Sequence, residues 1–470
     1  MKNLNSHFYY SKSHEELISE LCDNDALKLV KVTEYGHTPP DLIKEYKYEY
    51  GSWPVIISQE RVSSFTEFFN QFKILCYKAV LNYFKSKEMF GEYLESPSFL
   101  FDFLGEISGQ ISDYVFRYDV IFSGGYFKIL EVNTGSNIGG WQLDLLSESY
   151  LGLLKEENFS RNWNVNKEDI LENVFKMVIK SIKSLKNPGQ ELNVVSVTQH
   201  EYQHDGMNHI KFELSRIFAK VKEELSFSGE LIWCNNLSEL QVDASDCVYL
   251  NGKGVSAVLV QYAKLENSMQ STMMQLTKSY LKGKLVFPDS PFHSLLGNKN
   301  ILSLLYDAIN GNIFDEEEVK LIKKHVPWTH KSGNDSLYKN HTAYKTRAFL
   351  RKNKDSLVLK KSLSMKGKDV YVGKFMSEAD WHSVVKTHVK DSSWLIQEYC
   401  PPDQALMCDQ NGWIGPYDFV WGIFDMDFKY SGAFIRGNRA NCGNGVINSA
   451  GGAIEFTVFE EEKLKRVMSI

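Results

Sequence analysis

No apolar run in this sequence reaches the roughly 18 residues that a membrane-crossing helix requires, so none is predicted. The first residues, MKNLNSHFYYSKSHEEL, lack the apolar stretch of a secretory signal. Cys-x-x-Cys pairs are missing too. The seven cysteines (22, 76, 234, 247, 400, 408 and 442) are an odd, scattered set, which excludes a disulfide framework and fits reduced thiols. These absences together predict a soluble, cytoplasmic protein. An excess of charge is also lacking. With 53 basic against 59 acidic residues, the net −6 offers no general attraction to nucleic acid or to an anionic membrane. A local basic pocket for phosphate is compatible with that balance. No Gly-x-Gly-x-x-Gly supports a dinucleotide site, and no repeat is present.

What is there is a globular composition, 43% hydrophobic and 24% charged, over 470 residues. That length exceeds one ordinary core and predicts two or three packed lobes. Residues 1–110 read as mainly helical: between Phe65 and Phe84, Phe68, Phe69, Phe72, Leu75, Cys76 and Val80 recur at spacings of three and four. Residues 111–188 read as a hairpin, Tyr118–Phe122 and Tyr126–Val132, turning at Ser123-Gly124-Gly125. A helix over Ile170–Leu185 and a helix-breaking KNPGQE segment follow. Over 189–290, short apolar runs at Val194–Val197, Leu231–Trp233 and Cys247–Leu250 with a helix over Ile210–Val221 predict a small parallel α/β layer. Residues 291–470 read as a helix near Leu295–Ala308, a polar stretch over His330–His341 within a lid reaching from His330 to Tyr344, and five strands. These are Leu357–Lys361, Val370–Gly373, Trp394–Tyr399, Phe419–Phe424 and Gly432–Ile435.

The hairpin carries the first chemistry. Arg117 and Asp119 are two apart on one strand, and Glu131 and Asn133 two apart on the other, so each pair shares a face. If the register permits, two carboxylates, an amide oxygen and a guanidinium meet. Hard oxygen ligands of this kind suit Mg²⁺, and the arginine suits a transferring phosphoryl group. A solvent-facing row with a surface Arg–Asp pair is the alternative. The loop Asn133-Thr134-Gly135-Ser136-Asn137-Ile138-Gly139-Gly140 would let backbone N–H groups approach a ligand.

The second group lies in the last third. Lys299 stands near the start of an apolar helix. Leu357-Val358-Leu359-Lys360-Lys361 is a strand ending in paired lysines, before a small-residue loop that contains Gly367. A lysine so placed acts as a point charge for a polyphosphate, and an ordinary basic hairpin is the alternative. Gln397, Glu398, Tyr399 and Cys400, ending a strand before Pro401-Pro402, would offer backbone groups to an adenine edge and Glu398 to a ribose. Arg436 and Arg439 follow another strand and compete for one phosphate contact.

In this order the pieces resemble the circularly permuted ATP-grasp proteins, specifically the synthetase domain of glutathionylspermidine synthase and its relatives. The family's Arg-x-Asp followed by Glu-x-Asn appears as Arg117-Tyr118-Asp119 and Glu131-Val132-Asn133, and its Asn-Lys as Asn298-Lys299. The resemblance spans roughly residues 110–460. It implies an α+β ATP-grasp fold in permuted order, with a pre-ATP-grasp-like layer and a helical N-terminal part. It further implies ATP and Mg²⁺ as cofactors. Asp119, Glu131 and Asn133 would ligate the metal, and Lys299 and Lys360 (or Lys361, where the family often has proline) would bind phosphates. Gln397 to Cys400 would line the adenine pocket, and Arg117 with Arg436 or Arg439 would face the transferring phosphate.

The activity so implied joins a small-molecule or peptide carboxylate to an amine through an acylphosphate, releasing ADP and phosphate. No protein nucleophile is needed for it. Partners would be those two substrates and, as in relatives that dimerise, a second copy of the chain. Two other classes are open. One is an ATP-grasp relative that holds nucleotide without making a bond. The other is a zinc hydrolase on His200, His204 and His209, although Gly206 interrupts that stretch.

Overall fold

The computed structural model describes residues 11–36, 38–106, 113–156, 163–185, 192–198, 205–261, 269–339, 342–363 and 369–462. Helices and several sheets mix along the chain, an α+β arrangement. The largest sheet runs Val55–Ile57, Ile454–Glu461, Lys429–Arg439, Ile414–Met426, Phe116–Ser123 and Tyr126–Thr134 in spatial order, so strands from far apart in sequence lie side by side. All neighbours on that path are antiparallel except Val55–Ile57, which pairs in parallel with Ile454–Glu461. The stretch expected to be mainly helical therefore also supplies a sheet strand. Its VII triplet is too short and too apolar to show a period of two.

One face of this sheet is dry. Phe116, Tyr118 and Val120 alternate with Arg117, Asp119 and Ile121, as a strand requires, and the aromatic set meets the helix Gln59–Tyr83. That helix begins at Ser58, whose side chain accepts from Arg61 N. It buries Phe65, Phe68, Phe69, Phe72, Leu75, Cys76 and Val80. Phe69 stacks on Tyr118 with centroids 3.8 Å apart. Within this apolar layer Lys73 Nζ lies 2.6 Å from Asp425 Oδ2. Tyr114 OH and Tyr118 OH donate to the same carboxylate at 3.0 and 3.3 Å.

The hairpin turn at Gly124 and Gly125 has φ of +58° and +86°, a two-residue turn that L side chains disfavour. Both of its N–H groups donate to the Asp403 carboxylate, at 3.0 and 3.1 Å. A second, four-stranded antiparallel sheet is ordered Thr329–Lys331, Trp394–Glu398, Leu357–Lys361, Val370–Val372. A third sheet holds Leu231–Cys234, Asn193–Val197 and Lys253–Val260 in parallel, with an antiparallel edge of Val248–Leu250 and Gln241–Val242.

Two expectations change. The helix near Leu295–Ala308 is two helices, Pro291–Gly297 and Asn300–Asn310, because Asn298 is extended (φ −76°, ψ 120°). Its side-chain oxygen accepts from Asn300 N at 2.9 Å and its amide donates to Leu94 O, fixing the break. The polar stretch from His330 is also structured. Thr329–Lys331 joins the second sheet, and Ser336–Lys339 pairs with Thr342–Lys345. Asn340 and His341 lie outside the described residues, as does KNPGQE. Among the described residues no helix is long and apolar enough to cross a membrane.

The buried Lys73–Asp425 pair gives a stability test. Asp425→Ala strands an ammonium in the apolar layer and should cost about 3–5 kcal/mol. The double change Lys73→Met, Asp425→Leu should cost clearly less, both read by urea denaturation.

Candidate active site

The other face of the large sheet is the floor of a cleft of about 980 Å³, roofed by the four-stranded sheet. Hairpin register puts Asp119 opposite Glu131 and Arg117 opposite Asn133, so all four side chains come to the cleft face. Arg117 Nε donates to Asp119 Oδ1 at 2.9 Å, and its Nη1 to Gly139 O at 2.9 Å. Arg436, two strands away, places Nη2 2.9 Å from Asp119 Oδ2. Between them stands Gly422, where a Cβ would fall 2.4 Å from the Phe434 ring and 3.0 Å from Arg117 Cδ. A side chain there would have to displace the Phe434 ring and press on the Arg117 side chain that reaches Asp119. Asp119 is 4% exposed. Burial opposes its ionisation, but Arg117 and Arg436 outweigh that and hold the carboxyl well below the usual range.

The lysines enter from two other elements. The helix break at Asn298 leaves Lys299 Nζ 3.0 Å from Glu131 Oε2. Lys360 comes from the second sheet and is 5% exposed. It donates to Leu130 O at 2.7 Å and Gln397 Oε1 at 2.9 Å, and Gln397 Nε2 donates in turn to Thr329 Oγ1 at 3.0 Å. Burial brings the Lys360 ammonium down to about 7, with Glu131 opposing and Lys299 adding to the effect.

Several alternatives are separated by strand alternation. Lys361 is next to Lys360 on the strand, does not line the cleft, and has Asp391 and His388 for neighbours. Arg439 is three residues from Arg436, hence on the opposite face. It binds Asp409 at 2.6 Å and lies 4.3 Å over the Trp413 ring, outside the cleft. Glu398, Tyr399 and Cys400 line the cleft with Gln397. Tyr399 N donates to Ser356 O at 2.9 Å, Lys339 Nζ is 3.6 Å from Glu398, and burial raises the Cys400 thiol to about 11. Gly367, His200 and His204 lie outside the described residues. His209 Nδ1 stands 3.2 Å from Glu45 Oε2, away from the cleft. No group of three His, Cys, Asp or Glu side chains suited to a metal occurs among the described residues.

The glycine-rich loop after the hairpin is pinned from below. Asp289 accepts from Ser136 N at 2.8 Å, Ser136 Oγ at 2.6 Å and Val260 N at 2.9 Å. A Cβ on Gly140 (φ +113°) would sit 2.4 Å from Phe434, so the loop backbone lies directly on the floor.

Glu455, Tyr46, Tyr48 and Asn448 also line the cleft and were not singled out from sequence. Glu455 lies in the apolar run IEFTVF, where a lone buried carboxylate is itself a signal. Tyr46 and Tyr48 share a period-two KEYKYEY segment that pattern alone leaves in a loop.

The chemistry of the donor set bears on magnesium. Asp119 and Glu131 are like charges directly opposite one another, an unfavourable cross-strand pair unless cations intervene. Beside them Asn133 Nδ2 is buried without a hydrogen-bond partner. Amide N and O exchange by a flip, which would turn an oxygen to that position. Two carboxylates and an amide oxygen fit Mg²⁺, which takes few protein ligands and shares phosphate oxygens.

No protein-family model matches the chain, and no curated protein matches it in sequence. Among solved structures, a glutathione synthetase-like effector from Globodera pallida, in its apo form, is similar at 12% identity and a TM-score of 0.48. That match covers 95% of this chain and 98% of the other. A provisionally named gamma-glutamylcysteine synthetase from Methylobacillus flagellatus KT is similar at 11% identity and a TM-score of 0.37, covering 82% and 87%. Both likenesses are too loose to assign a fold family or an activity, which leaves the cleft's own geometry to carry the functional reading.

Lys360 has a pH signature. Its folded value of about 7 lies below the ordinary 10.5, so between these the unfolded chain holds the extra proton. Its contribution to stability therefore grows as pH rises through that window and fades as pH falls toward 7. Urea denaturation from about pH 7 to about pH 9.5 should show wild type gaining stability relative to Lys360→Met.

Proposed function

We propose that this protein is an ATP- and Mg²⁺-dependent carboxylate–amine ligase of the ATP-grasp type with its parts in permuted order. The observation that carries the reading is the convergence of Lys299 and Lys360, from two separate elements, on the Glu131–Asp119–Arg436 row. Cations from a roof and a floor around paired carboxylates suit a metal-bound polyphosphate held between two sheets. In this reading Gln397 to Cys400 take the adenine and ribose, and Lys299 and Lys360 take the phosphates. Arg117 and Arg436 face the γ-phosphoryl oxygens. Asp119, Glu131 and Asn133 would hold Mg²⁺, whose contribution when bound is to neutralise charge on the phosphate oxygens.

A substrate carboxylate displaces ADP from the γ-phosphate, giving an acylphosphate. An amine then forms the C–N bond as phosphate leaves. The chain's residues work by placement and charge compensation, so no side-chain nucleophile is required. Buried, oppositely charged groups already fixed in position reorganise little as charge moves, which is where such a site gains its rate.

ADP release over a panel of paired carboxylates and amines tests this. Turnover should need both substrates, and Glu131→Gln or Lys360→Met should lower it at least about 100-fold. Arg439→Gln should stay within about twofold, since that guanidinium is outside the cleft. Tight Mg–ATP binding with no turnover for any pair would favour a nucleotide-binding protein without ligase activity, and absence of ATP binding would end the reading.

A further inference from the structure

The cleft floor has a direction. Strand pairing sets Glu455 opposite Arg436, Arg436 opposite Val420, Gly422 opposite Asp119, and Asp119 opposite Glu131. These are five adjacent strands, and at about 4.8 Å per strand the row extends about 19 Å. Lys299 and Lys360 gather at the Glu131 end. Glu455 stands at the other end, one strand beyond Arg436.

Glu455 differs from the other carboxylates of the floor. Asp119 is held by two arginines and Glu131 by a lysine. Glu455 is 3% exposed, yet among the described residues its side-chain hydrogen bonds come from two hydroxyls. Tyr46 OH donates to Oε2 at 2.6 Å and Ser449 Oγ to Oε1. Each carboxylate oxygen has capacity for a further donor. The wall beside it is aromatic. The segment containing Tyr46 and Tyr48 runs against the strand of Glu455, with Gly51 N donating to Glu455 O at 2.8 Å, and both rings line the cleft. The Tyr46 and Tyr48 rings meet edge to face at 5.6 Å.

A desolvated carboxylate whose hydrogen bonds come from neutral hydroxyls, beside tyrosine rings, is complementary to an ammonium group, with the Arg436 and Arg117 charges also acting on it. We propose that Glu455, with Tyr46 and Tyr48, forms the recognition site for the amine substrate, carried as a primary ammonium. This rests on the ligase reading and adds to it which end of the cleft each substrate takes. The acyl group lies by Arg117 and Arg436, and the amine enters from the Glu455 side, one strand spacing away. Glu455 acts here as a specificity-determining residue.

The test uses the full chain with Mg²⁺ and a non-hydrolysable ATP analogue, with n-butylamine and n-butanol as isosteric probes in saturation-transfer NMR. Calorimetric binding of the nucleotide is the separate readout for the ligase reading. Wild type should bind n-butylamine at least about tenfold more tightly than n-butanol, and Glu455→Gln should abolish that preference with the far-UV circular dichroism unchanged. Tyr48→Ala, which leaves the buried carboxylate in place, should weaken n-butylamine about threefold. n-Butylamine bound no better than n-butanol, or equally well by wild type and both variants, overturns the inference even if nucleotide binds. Failure of the nucleotide to bind wild type overturns the ligase reading instead.

Discussion

A single buried carboxylate organises the cleft. Asp119 is charged in a place that disfavours charge, and it stays so because Arg117 on its own strand and Arg436 two strands away both reach it. Desolvated ion pairs add little net stability, but breaking one is expensive, so such a pair makes the alternatives costly. A shift of one residue in either strand register would turn these groups to the aromatic face beneath the sheet. Gly422 belongs to the same constraint, since a side chain there would meet the Phe434 ring and the Arg117 side chain.

The second sheet depends on the first through one lysine. Lys360 Nζ spans from its own sheet to the Leu130 carbonyl of the hairpin, and Gln397 shares that contact from the neighbouring strand. A ligand that took over the ammonium would loosen this link and substitute its own. The roof has other ties. Glu95 accepts from Ser362 Oγ at 2.8 Å and from Asn300 Nδ2 at 3.1 Å, joining the lysine-bearing strand to the helix beyond Lys299.

What could be read from sequence follows the range of the interaction that decides it. The hairpin was legible because a period of two and a Gly-Gly turn are local, and its pairing places Arg117, Asp119, Glu131 and Asn133 on one face. The choice between Lys360 and Lys361, or Arg436 and Arg439, was not. Alternation says that neighbours face opposite ways, but which way is inward depends on strands hundreds of residues distant. The break at Asn298 was hidden for the same reason: the Leu94 carbonyl that receives its amide lies 204 residues back. Glu455 escaped because its strand reads as an apolar run whose partners, Val55–Ile57 and Lys429–Arg439, come from opposite parts of the chain.

Charge order along the floor makes the arrangement more than a list of contacts. At its centre four cationic groups, Arg117, Arg436, Lys299 and Lys360, face two carboxylates, Asp119 and Glu131. Lys360 is the adjustable member, since burial brings its ammonium to about 7 and a nearby anion would restore the proton. Burial that favours the neutral form of Lys360 lowers the cost of gathering four basic groups in a nearly dry space. Glu398 and Glu455 lie outside this centre on different strands, the first with Lys339 nearby and the second with hydroxyl donors. In the proposed reading, a phosphate chain displaced toward either end would leave the four cations and approach Glu398 or Glu455, so the charge order favours the centre.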